Sequence, residues 1–247
     1  PPPPPRLLTF APLLVHDELP LNDVVRALLT TCESAAGTVE IEFALTIEAG
    51  PPRRAQLALL QVRPMAAGAD VVDIGEEEWH AGNVLVASGS VMGNGVLSGI
   101  EDIVFVRPDR FEARASRTAA AEVAAINRAL LAERRGYVLI GFGRWGTADP
   151  WLGIPVGWSA ISGARAIVET ATPALQPDPS QGSHFFHNLA GFQVSYFSIR
   201  HGDRDVDWDW LGRQPVVRET DLVRHVRAAA PLTIKVDGRT GRGLIRK

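Results

Sequence analysis

From residue 39 to 47 the chain alternates strictly, with Val39, Ile41, Phe43 and Leu45 on one side and Glu40 and Glu42 on the other. Such alternation predicts a strand with one buried face. A second run, residues 56–63, ends at Pro64, and the loop 48–54 between the two makes them an antiparallel hairpin. Upstream, apolar residues recur at helical spacing over residues 22–29, with Asn22 as the predicted N-cap. In the hairpin, Glu42 and Gln61 fall on one sheet face. They would offer two oxygen ligands to Mg2+ or serve as plain solvated polar surface.

Residues 66–82 break the pattern and carry the acidic run Glu76-Glu77-Glu78, which predicts a solvated linker. Glycines at 89, 93, 95 and 99 then punctuate short apolar runs, as tight turns in a small barrel-like sheet would. No Walker lysine or strand–GxGxxG–helix pattern accompanies them. A strand is predicted at 100–106, an Ala-rich helix at 115–134, a buried strand from Tyr137 into a Gly/Arg/Trp loop, a short helix at 161–164 and a strand at 165–169. Strand–helix–strand order places functional residues in the loops at strand ends, where Arg144 and Asp149 are the polar candidates. They would either touch a ligand or brace the loop as a buried pair.

Past residue 190 the pattern predicts a strand at 191–199, a turn at 201–204, and Trp208 and Trp210 packed on an edge strand. An amphipathic helix at 219–229 comes next, then a hairpin turning at Asp237-Gly238.

Composition narrows the class. The 247 residues are 46% hydrophobic and 21% charged, as in ordinary globular proteins. A net charge of -3 argues against a general nucleic-acid binder. Lysine occurs only at 235 and 247, so any anion site must be built from arginine. The single Cys32 excludes an internal disulfide framework and fits a cytoplasmic location. No apolar run is long enough to span a bilayer, so no membrane partner is expected. Five prolines stand where an initiator methionine would, which predicts a fragment of a longer protein.

Two of the six histidines, His184 and His187, come directly after the turn Asp178-Pro179-Ser180-Gln181-Gly182-Ser183. A turn opening into a helix exposes backbone N–H groups that hold anions, and the helix dipole keeps a histidine there neutral and nucleophilic. That combination suits a histidine which accepts and passes on a phosphoryl group. The alternative is that the two residues cap and pack a helix, or, at i and i+3, share a metal.

The hairpin sequence Val-Glu-Ile-Glu-Phe-Ala-Leu, with Leu-Leu-Gln-Val-Arg-Pro after it, resembles the end of the ATP-grasp domain in the phosphoenolpyruvate synthase and pyruvate phosphate dikinase family. Five later elements occur in the order of that family's swivelling phosphohistidine domain. They are Val91-Met-Gly-Asn-Gly, Tyr137-Val-Leu-Ile, Thr147-Ala-Asp149-Pro150-Trp151, Ala166-Ile-Val and Gly182-Ser183-His184. The turn before His184 departs from the family's Gly-Gly-x-(Thr/Ser)-(Ser/Cys)-His.

The resemblance implies an α/β protein. Residues 1–65 would be the C-terminal piece of an ATP-grasp domain, 66–82 a linker, 83–200 a swivelling β/α phosphohistidine-like domain and 201–247 a helix-and-hairpin extension. It implies ATP and Mg2+ as cofactors. Glu42 and Gln61 would stand at the metal–nucleotide and Arg63 at its phosphates. His184 would carry the phosphoryl group, with His187 as neighbour or substitute, and Ser183 and Arg144 would hold it. The partners would be a nucleotide, a small pyruvate-like acceptor and the missing N-terminal grasp region. The stretch beyond residue 200 is too short for a pyruvate-binding barrel of ~250 residues. A non-catalytic binding or assembly module on the same fold is the competing expectation. A hydrolase using His184, Asp149 and Ser183 has no nucleophile-elbow motif behind it.

Overall fold

The computed structural model describes residues 10–37, 39–48, 54–64, 71–171, 189, 191–199 and 205–247. The chain divides into two units, Pro1–Ala66 and Ala67–Lys247.

The first unit consists of α1 (Ala11–Leu14), α2 (Leu21–Ala36), β1 (Val39–Ile47) and β2 (Ala55–Pro64). The helix α2 starts two residues earlier than the sequence predicts, with Pro20 rather than Asn22 at its N-cap. Proline lacks the N–H a preceding turn would need, so the helix begins behind it. The Asn22 amide instead donates to the Leu14 carbonyl at 3.1 Å and to Asp17 at 3.0 Å. Gly37, at φ 74°, ends the helix in a conformation that favours glycine. The strands β1 and β2 pair antiparallel, with a register shift after Glu42. Val39 is the one buried hydrophobic residue of this unit among the described residues.

The second unit is a mixed α/β structure around a large mixed sheet. Its strands are β3 (Val84–Ser88), β4 (Val91–Met92), β5 (Gly95–Val106), β6 (Tyr137–Phe142), β7 (Arg144–Trp145), β8 (Gly153–Ile154), β9 (Ala164–Thr170), β10 (Ser195–Ser198), β11 (Val216–Glu219), β12 (Val223–Asp237) and β13 (Arg242–Arg246). The helices are α3 (Glu76–Trp79), α4 (Ser116–Ala132) and α5 (Trp208–Gly212). Nine of these strands form one sheet in the order β3-β13-β12-β5-β6-β9-β10-β4, with β11 beside β12. Within it β5, β6, β9 and β10 run parallel.

The two ends of that order, β3 and β4, are consecutive in the chain and separated only by Gly89-Ser90, so the sheet closes on itself. The seam is hydrogen-bonded: Ser198 N–H donates to the Ser90 carbonyl at 2.9 Å and the Ser88 hydroxyl to the Ser198 carbonyl at 2.5 Å. Alternation along the strands separates two cores. Ile103, Phe105, Ile140, Val168, Phe197 and Ile234 point to one side and fill the barrel. Val104, Leu139, Ile167 and Tyr196 point to the other and pack against α4. The helix presents Ala119, Val123, Ile126 and Leu130, a stripe at helical spacing.

Several expectations need correction. Residues 219–229 are not a helix but the turn from β11 into β12 and the first half of β12. This stretch pairs with β5, so its apolar residues are buried as a central strand and tertiary pairing overrides helix propensity. The tail is therefore no separate extension, although the Asp237-Gly238 hairpin forms between β12 and β13. The linker is structured where it is described: Val72 and Ile74 pack on Val84, Ala87 and Leu244. Its acidic run is not simply solvated, because Glu76 meets Arg242 at 2.7 Å and Glu78 meets Lys235 at 2.6 Å. Trp208 and Trp210 lie in α5, not an edge strand, and Trp208 stacks on Phe142 with ring centres 5.5 Å apart. Residues 158–160 form a 3₁₀ turn in place of the helix expected over 161–164, and β10 begins only at Ser195.

Candidate functional site

On the hairpin, Glu42 lies directly across from Gln61, and Glu40 across from Arg63. Residues two apart on a strand share a face, so Glu42, Gln61 and Arg63 converge on one exposed surface as the alternation predicts. The Arg63 guanidinium donates to the Gln61 side-chain oxygen at 2.9 Å. Two oxygen donors thus face one another beside a cation. That is a fitting edge for a metal–phosphate group but not a complete metal cage. Among the described residues no three His, Cys, Asp or Glu side chains gather around one point.

In the second unit the parallel strands end together near Gly143, and the β6–β9 connection folds back over them. Gly143 N–H donates to the Thr170 carbonyl at 2.8 Å, and Arg144 then pairs with Gly153 in the two-stranded β7–β8 ribbon. Trp145 is fully buried over Gly141 and donates its indole N–H to the Val168 carbonyl at 3.1 Å. The half-buried Arg144 therefore stands at the carboxyl edge of the parallel strands.

Asp149 does not brace Arg144. It is exposed, and its carboxylate accepts the Trp151 N–H at 2.9 Å while its own N–H donates to the Thr147 hydroxyl at 3.1 Å. The residue builds its own turn, as aspartate often does in loops. The buried carboxylate at this edge is Glu169, near the end of β9 and across from Gly141. It is 5% exposed and accepts a hydrogen bond from the buried Tyr196 hydroxyl of β10. Neither Glu169 nor Tyr196 is among the candidates that the sequence suggests. The available signal was a lone glutamate closing the apolar run Ala166-Ile-Val-Glu169 at a strand end. Ser183, His184 and His187 lie outside the described residues.

A second buried charge centre sits where β6 begins. Asp102 is 1% exposed and accepts from His225 Nε2 at 2.8 Å, Arg135 Nε at 2.5 Å and Arg227 Nε at 3.0 Å. Burial alone would raise its pKa, but the bonds from His225, Arg135 and Arg227 outweigh it and hold the carboxyl below the usual range. Each oxygen is satisfied within the fold, which marks a structural hub joining β5, β12 and the α4–β6 turn.

Among the described residues no helix is long and apolar enough to cross a membrane. No protein-family model, curated protein or solved structure matches this chain significantly. The fold and its two polar surfaces define a mixed α/β protein with a closed, mostly buried barrel and a polar hairpin face.

Proposed function

We propose that the chain is part of an ATP-dependent phosphotransferase of the phosphoenolpyruvate synthase type. It relays a phosphoryl group from ATP through a histidine to a small-molecule acceptor whose identity the chain does not specify. The observation that carries this reading is the hairpin, where Glu42 and Gln61 oppose one another with Arg63 beside them. Residues 1–65 then act as the end of an ATP-grasp domain and 83–200 as a phosphohistidine domain.

Glu42 and Gln61 would hold Mg2+, which neutralises phosphate charge when bound. Arg63 contributes a guanidinium whose planar fork matches phosphate oxygens. His184 takes the phosphoryl group on a ring nitrogen and passes it on. Ser183 and backbone N–H groups hold the phosphate meanwhile, and Arg144 balances its charge. His187 is the neighbouring or substitute carrier.

The test is incubation of the full-length parent protein with β- and γ-labelled ATP. Acid-labile, base-stable label is expected, and its loss in His184→Ala. Label that persists in that variant moves the carrier to another residue. A second reading, a binding or assembly module without transfer, is favoured by the exposure of the hairpin face and by Arg63 occupying the Gln61 oxygen. It expects no label with any nucleotide and a His184→Ala variant that folds normally.

A further inference from the structure

The first unit has too little core for the apolar groups it carries. Val39 is its one buried hydrophobic residue among the described residues, and an isolated two-stranded hairpin is marginal in water. One face of the hairpin is apolar, with Ile41, Phe43 and Leu45 of β1 across from Val62, Leu59 and Leu57 of β2. The helix α2 packs over β1. Over β2 the face stays open, and Leu59 and Val62 are 41% and 38% exposed. An apolar pocket of about 270 Å³, lined by Leu21, Val24, Leu45, Ala55 and Leu57, lies between this open side and the start of the helix.

The open side ends in a bare strand edge. β1 and β2 form a sheet of their own, so the outer N–H and C=O groups of β2 have no strand partner among the described residues. Proteins blunt such edges with charge. β1 carries Glu40 and Glu42, whereas β2 has a single charge, Arg63, next to Pro64 at its end. The register shift after Glu42 leaves Leu60 as an extra residue on β2, 64% exposed. Ahead of it, residues 55–59 pair regularly and bear no charge.

Val24, Ile47, Leu59, Leu60 and Val62 together expose roughly 400 Å² of apolar surface, enough to mark an interaction site. The main chain of a ten-residue edge brings this toward the ~800 Å² that each partner of a stable complex buries.

We propose that β2 is a dimerisation edge, to which a second copy of this chain adds its own β2 antiparallel. Two such strands share a twofold axis and use the same patch on both copies. With the axis perpendicular to the sheet, both apolar faces and both α2 helices fall on one side of a four-stranded sheet. Charge selects the antiparallel arrangement. Parallel pairing would set the two Arg63 side by side, and antiparallel pairing sends them to opposite ends of the ladder. The polar face with Glu42 and Gln61 stays uncovered, so the inference does not rest on the phosphotransfer reading.

Sedimentation velocity on the whole chain, from about 1 to about 100 μM, tests it. A species of twice the 26.7 kDa chain mass is expected at the upper end. Leu60→Lys places a charge on the edge of both copies and should weaken association about a hundredfold. Thr46→Lys, exposed on the polar face of β1, should leave it unchanged. Amide hydrogen exchange on the wild-type chain locates the contact without any variant. Amides of β2 should gain protection as concentration rises, and those of the second unit should not.

A chain that stays monomeric at about 100 μM overturns the proposal, as does a dimer whose newly protected amides lie outside β2. Association that survives Leu60→Lys, or that Thr46→Lys disrupts equally, overturns it too. So does a full-length parent that is monomeric beside a dimeric 247-residue chain, because its upstream region then holds the edge.

Discussion

Replacing Asp102 with asparagine removes a charge from a buried side chain that accepts three charged or ring N–H donors. Breaking a buried ion pair by deleting one partner costs about 3–5 kcal/mol. Here only one of the three partners is deeply buried. The side chain of His225 is 6% exposed, whereas those of Arg135 and Arg227 are 31% and 39% exposed and can turn to water. Asparagine also keeps the shape and one acceptor oxygen, so the expected loss falls to about 2–3 kcal/mol. For a unit of this size that lowers the melting temperature by about 4–12 °C.

All six tryptophans lie in the second unit, so their fluorescence reports its unfolding without interference from the first. The pH dependence has a definite sign. The folded Asp102 carboxyl lies below its unfolded value, since its three hydrogen-bond partners outweigh the cost of burial. Its stabilisation is complete above the unfolded value, about pH 4, and is lost as pH falls through the folded one. The gap between wild type and Asp102→Asn should be flat between about pH 5 and 7 and narrow below about pH 4. A gap under about 0.5 kcal/mol at neutral pH, or one that stays constant into acid, would refute the reasoning.

Asn127 accepts the Tyr137 hydroxyl at 2.9 Å and the Gly163 N–H at 3.0 Å and donates to the Ser159 carbonyl at 3.1 Å. Asn127→Ala strands these buried groups and should cost about 2–4 kcal/mol, read by denaturant unfolding; a loss below about 1 kcal/mol would mean that water replaces the amide. Gly141→Ala would overlap the Trp145 ring, so a loss of about 1–3 kcal/mol with a shift in tryptophan emission is expected, and an unchanged spectrum would contradict the packing. Arg63→Ala should weaken ATP binding by the full-length parent about tenfold, and unchanged nucleotide affinity would remove Arg63 from the site.

Local patterns proved readable where one face of an element is more buried than the other. The alternation from Val39 to Leu45, the stripe on α4 and the Asp-Gly hairpin turn are of this kind. Reading failed where burial is two-sided. Residues 223–229 carry apolar groups at spacings that suit a helix, and only pairing with β5 decides for a strand. The same limit hid part of the candidate site. Glu42, Gln61 and Arg63 sit on an exposed face whose register comes from alternation, so they could be placed together. The pairing of Glu169 with Tyr196 depends on β9 and β10 becoming neighbours across a long connection, which no local pattern encodes. Asp149 misled for the opposite reason, since an aspartate in a loop serves its own turn as readily as a distant arginine.

The closing of the barrel sets an order of events during synthesis. Its first strand, Val84–Ser88, pairs with the strand Arg242–Arg246, and Lys247 N–H donates to the Asn83 carbonyl at 2.8 Å. The parallel strands and α4 can be made and collapse locally, but their inner face stays open until residue 246 has left the ribosome. Contacts this distant along the chain are slow to form, so the nascent unit passes through a stage with apolar surface uncovered. Dependence on chaperones should accordingly be concentrated in the interval between emergence of β10 and emergence of β13.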